Sequence, residues 1–101
     1  MIRVYANRAG ARCRLFVEGH ADYRQGEDIV CAAVSALTGA LVAFAAESPA
    51  CRHLRRIVRK GELFLSCRGG LGVGFDIMMR GLRAISEQYP ECLRIEVAQG
   101  C

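Results

Sequence analysis

Gly19–Thr38, GHADYRQGEDIVCAAVSALT, joins three textures in one stretch. A histidine follows a strand-like run, a polar loop follows the histidine, and a cysteine opens an apolar helix. Gly26-Glu27-Asp28-Ile29-Val30 carries a helix-start signal. Asp28 is the expected N-cap, its carboxylate accepting from backbone N–H groups two or three residues on. Cys31 then falls inside the first turn, where unpaired N–H groups and the helix dipole favour negative charge. The thiolate is the nucleophilic form of cysteine, and helix N-termini and nearby cations favour it. His20 supplies such a charge and an acid–base group. Cys31 and His20 are therefore a candidate nucleophile–base pair.

The helix that Cys31 opens is itself unusual. Ile29–Ala46 is eighteen residues without a charge, which is near the lower limit for a membrane span. It is rich in Ala, Ser, Thr and Gly rather than Leu and Ile, and Glu27, Asp28 and Glu47 flank it. This composition favours a central, largely buried helix of a protein with no membrane partner. Its small residues would let a sheet or a second subunit approach closely.

Upstream, Ile2–Asn7 is a short β-type run, Arg8–Ala11 is a turn signal, and Arg12–Glu18 alternates. Cys13, Leu15 and Val17 share one face, opposite Arg12, Arg14 and Phe16. The two runs read as a hairpin. Downstream, Ser48-Pro49 ends the first helix, because Pro49 disfavours helical geometry before it. Cys51–Arg59 is a strand candidate whose Leu54, Ile57 and Val58 do not alternate cleanly, which points to a bulge or to an error in the assumed register. Lys60-Gly61 is a turn and Glu62–Cys67 alternates again, making a second hairpin. Arg68–Gly74 is a glycine-rich connector. Helix two spans about Val73–Tyr89, with Phe75, Met78, Leu82, Ile85 and Tyr89 at helical spacing and Pro90 after it. Leu93–Ala98 is a last strand. The expected fold is an α+β, two-layer ββαββαβ domain, with a mostly antiparallel sheet and two helices, filling residues 1–101 as a single domain.

Composition sets limits. At 52% hydrophobic and 24% charged residues, the chain can bury a core and is not of the disordered class. Its net charge of +4 is mild. Cysteines stand at 13, 31, 51, 67, 92 and 101. The N-terminal MIRVYANRAG has no apolar signal region and there is no CxxC pair, so reduced thiols in a cytoplasmic protein are expected. Cys51 and His53 have no second pair at ligand spacing, so neither a metal site nor a cofactor is expected.

Other features have a functional and a plain reading. Asp28 could orient His20 as well as cap the helix, and Asp22 is a weaker alternative. Ser35, four residues after Cys31, lies on the same helix face and is a candidate supporting residue. Gly19 and Gly26 bracket a loop that could close as a lid. Gly69-Gly70-Leu71-Gly72-Val73-Gly74 lacks the Lys-Ser/Thr of a P-loop and is better read as a connector. Arg52, His53, Arg55, Arg56, Arg59 and Lys60 read as a solvated strand edge that charge protects from aggregation. With few aromatics and no RNA-recognition motif, nucleic acid is not expected as the primary partner.

The stretch is similar to the ribosomal-processing cysteine protease family. Gly19-His20-Ala21, Gly26, Asp28-Ile29-Val30-Cys31-Ala32 and Val34-Ser35-Ala36 carry the resemblance, with Gly81-Leu82-Arg83-Ala84-Ile85 and Tyr89-Pro90 further on. The linker Ala21–Val30 is a residue shorter than many members have. The resemblance implies a cysteine endopeptidase with Cys31 as nucleophile and His20 as proton donor and base. It implies a ribosomal protein precursor as peptide substrate, namely the N-terminal extension of bacterial large-subunit ribosomal protein number twenty-seven, and a homodimer. The alternatives are a noncatalytic ribosome- or RNA-associated binding module, and a redox-sensing thiol protein.

Overall fold

The computed structural model describes residues 1–19 and 27–99. The elements run β1 (Ile2–Ala9), β2 (Arg12–Glu18), α1 (Glu27–Glu47), β3 (Arg52–Arg59), β4 (Glu62–Arg68), α2 (Gly72–Gln88) and β5 (Leu93–Gln99). The ββαββαβ order is the one that alternation and helical spacing predict. One five-stranded sheet has the order β3-β4-β2-β1-β5. The pairings β1–β2, β2–β4 and β3–β4 are antiparallel, and β1–β5 is parallel. The sheet is thus mixed and mostly antiparallel.

Both helices lie on one face of the sheet. That face presents Ile2, Val4 and Ala6 from β1, Cys13, Leu15 and Val17 from β2, and Leu63, Leu65 and Cys67 from β4, all buried. Phe75, Met78, Met79 and Leu82 of α2 close over it. From α1 come Val30, Val34, Thr38, Leu41, Val42 and Ala45, which recur at helical spacing on one stripe. The Thr38 hydroxyl donates to the Val34 carbonyl at 2.8 Å, so its burial leaves no orphaned donor.

The expectation of a largely buried α1 is corrected here. Only 33% of an eighteen-residue apolar window within Asp28–Glu47 is buried, although the stretch is long and apolar enough to cross a membrane by length and composition. A helix in the outer of two layers has one face against the sheet and one away from it. Ile29 and Phe44 are on the uncovered face, at 63% and 55% exposure.

Turn chemistry fits the residues. Gly10, first of the two residues between Ala9 and Arg12, has φ +59°, the conformation a tight hairpin turn asks of its first residue. In the glycine-rich connector, Gly69 and Gly70 have positive φ, whereas Gly72 belongs to α2, so the connector is shorter than the glycine spacing suggests. The expected irregularity in β3 is present. The register slips between Arg52 and Arg55, with His53 in the left-handed region at φ +54°.

Candidate active site

Cys31 is the fifth residue of α1, half-buried, on the wall of an open cleft of about 780 Å³. The helix starts at Glu27, a residue earlier than the helix-start signal suggests. Asp28 is therefore helical and exposed rather than an N-cap, and its carboxylate complements the helix dipole from within the first turn. Cys31 accordingly sits two positions further into the helix than expected. Asp28, Cys31 and Ser35 follow one another at steps of three and four residues and line the same cleft. Ser35 is exposed.

The sheet supplies the facing wall. Ile2, Val17 and Leu63 give an apolar floor, and the β3–β4 turn, Val58 to Glu62, rises opposite α1. Gly19, at the end of β2, also lines the cleft, and its N–H donates to the Gly61 carbonyl at 3.0 Å. Gly19 has φ +124°, and a Cβ there would collide with the carbonyl of Met1. No residue other than glycine fits this backbone without strain. The position that directly precedes His20 is thus pinned between β1 and the β3–β4 turn.

His20, Gly26 and Asp22 lie outside the described residues, so the structure brings together Cys31, Asp28, Ser35 and Gly19 of the candidate site. The turn residues Lys60, Gly61 and Glu62 were not among the site residues that sequence reasoning selects. Their signal is indirect: β2 and β4 pair with Glu18 opposite Glu62, which sets the second hairpin's turn beside the end of β2. Among the described residues, no group of three or more His, Cys, Asp or Glu could hold a metal ion.

A second groove, of about 660 Å³, runs between α1 and α2 and is mainly apolar, with Leu37, Phe44, Val73, Ile77 and Met78 along it. Val73 and Ile77 are 75% and 63% exposed. Elsewhere, Cys13 and Cys67 face each other across β2 and β4. Burial, with Cys51 beside it, pushes the Cys67 thiol up to about 12. Burial raises Cys13 too.

The chain belongs to the cysteine protease Prp family, whose model matches residues 1–94. No curated protein matches it in sequence. Solved structures share the fold. The ribosomal processing protease Prp from S. aureus in complex with a substrate peptide superposes with a TM-score of 0.78 at 22% identity, over 97% of this chain and 100% of that one. The same protease with a covalently linked product peptide gives 0.78 at 24% identity, over 97% and 100% of the two chains. SMU.848 from Streptococcus mutans gives 0.74 at 23% identity, over 98% and 95%.

Proposed function

We propose that this cysteine protease removes the N-terminal extension of bacterial large-subunit ribosomal protein number twenty-seven, with Cys31 as nucleophile and His20 as acid–base partner. The observation that carries this reading is the position of Cys31. It is a half-buried thiol near the start of α1 on the wall of a large open cleft, and the residue before His20 lines that same cleft. That similar S. aureus structures hold a substrate peptide and a covalently linked product peptide supports a peptide as the ligand.

In this mechanism the Cys31 thiolate attacks the scissile carbonyl carbon. The tetrahedral intermediate collapses to a thioester as the C–N bond breaks, and protonated His20 gives its proton to the leaving amine. Water, deprotonated by His20, then hydrolyses the thioester, releasing the carboxylate and restoring the thiol. N–H groups of the first turn of α1 are the candidate oxyanion donors. The apolar floor of Ile2, Val17 and Leu63 suits the apolar side chains of the extension. The protein acts in the cytoplasm as a single-domain subunit of a homodimer, for which the groove between α1 and α2 is the candidate interface.

The test is mass spectrometry of the unprocessed ribosomal protein after incubation with the wild type or with Cys31→Ala. A single N-terminal cut by the wild type and none by the folded variant is expected. A folded wild type that leaves the precursor intact overturns the substrate. A folded Cys31→Ala that cuts at full rate overturns the nucleophile.

A further inference from the structure

Both helices cover one face of the sheet, so the other face has no protein layer over it among the described residues. The register places Ile57, Phe64, Phe16 and Tyr5 side by side across β3, β4, β2 and β1 on that outer face. The three aromatics occupy neighbouring strands, spaced about 4.8 Å apart. The Tyr5 and Phe16 ring centroids are 6.1 Å apart and tilted by 39°, and Tyr5 is 36% exposed. This face is open, so the half-buried aromatic row packs only across its own strands, as Tyr5 does with Phe16, and leaves ring surface facing outward.

Charge is placed around the row unevenly. On the side towards the Gly10 turn, Arg14 and Arg55 flank it, with Arg12, Arg68 and Arg52 beyond, and the register puts no carboxylate among them. On the other side the register runs Arg59, Glu62, Glu18, Arg3 and Arg94 across the strands, so two carboxylates sit among three arginines, and Glu96, level with the row, pairs with Arg94 at 3.6 Å. Eight arginines less three glutamates give this face +5. The whole chain carries +4, so the rest of the molecule is slightly acidic.

We propose that this outer sheet face is a binding platform for single-stranded RNA, with bases stacking on Tyr5, Phe16 and Phe64 and phosphates running along Arg14, Arg55 and the arginines beyond them. Open sheets bind single strands in this way, because unpaired bases can splay onto aromatic rings while cations track the backbone. A duplex keeps its bases stacked internally and cannot use the rings. An acidic protein partner would match the charge but leave the three-ring row unexplained. Cys31 and the cleft lie on the opposite side of the sheet, so the platform can hold RNA while the cleft holds peptide.

The experiment is fluorescence anisotropy with the full chain and a labelled oligouridylate of about ten nucleotides, a length within the footprint of single-strand-binding folds. Tyr5→Leu with Phe16→Leu removes two rings and keeps apolar bulk, and Arg14→Ser with Arg55→Ser removes two charges at exposed positions. Circular dichroism monitors folding. The expected result is saturable binding that the duplex of the same length does not match. Each double variant should lose about tenfold or more in affinity, and the arginine variant should also show a shallower dependence on salt. Equal affinity for duplex and single strand, or full affinity in the folded ring variant, reduces the face to unspecific electrostatics and overturns the proposal. So does an absence of binding by the wild type. Sedimentation of the wild type without RNA adds a further arm: a dimer that the folded ring variant abolishes makes a second copy the occupant and overturns it as well.

Discussion

Gly19 donates its backbone N–H to the carbonyl of Gly61, 3.0 Å away. This one bond fastens the end of β2 to the turn between β3 and β4, on the rim of the cleft that Cys31 lines. Gly19→Ala would add a Cβ against the Met1 carbonyl at a φ of +124°. The expected cost is about 1–3 kcal/mol of stability, read as a lower urea midpoint. Peptide cleavage should fall as well, because the residue after position 19 is displaced.

Cys31→Ser is expected to lose at least about a thousandfold in kcat/KM, since the hydroxyl lacks the acidity of a thiol. Cys31 is only half-buried, so the denaturation midpoint should stay close to that of the wild type. A fluorogenic peptide assay alongside urea denaturation checks both halves of the statement.

Arg8 reaches from β1 to α2, with Nη1 2.7 Å from an Asp76 carboxylate oxygen and 3.3 Å from the Gly72 carbonyl. The two side chains are 40% and 61% exposed, so solvent screens the pair. Asp76→Asn should cost at most about 1 kcal/mol, and less in high salt. Denaturant titrations at low and high ionic strength would show it.

Cys67 sets an alkaline limit. Burial raises it to about 12 from an ordinary value of 9.0, and Cys13 is raised in the same direction. The unfolded thiols ionise first, so above pH 9 the unfolded chain binds fewer protons than the folded one. The stability from keeping these thiols neutral is complete below about pH 9 and is lost as pH climbs towards about 12. Denaturation midpoints should fall over that window, and Cys67→Val should fall less steeply.

The two hairpins and two helices are written locally. Alternation in Arg12–Glu18 and Glu62–Cys67, and the spacing of Phe75, Met78 and Leu82, are properties of short windows, and the structure follows them. Even the slip at His53 had a local trace, in the broken alternation of Leu54, Ile57 and Val58. The parallel pairing of Ile2 with Leu93 had none, since no short window holds both strands. For the same reason the β3–β4 turn was absent from the expected site. The missed cap at Asp28 is a smaller matter: Glu27 and Asp28 both suit a first turn, and composition does not choose between them. The overestimated burial of α1 has another cause. An apolar helix face reads the same in sequence whether it faces a core or an open groove.

The pairing of β1 with β5 has a consequence in time. The strand nearest one end of the chain is hydrogen-bonded to the strand nearest the other, and Ile2, which pairs with Leu93, also forms part of the cleft floor. Contacts so distant in sequence carry a large closure entropy and form late in folding. Cys31 and the floor residues Ile2, Val17 and Leu63 all precede β5 in the chain, so the late docking of β5 closes the free edge of β1 rather than building the cleft lining.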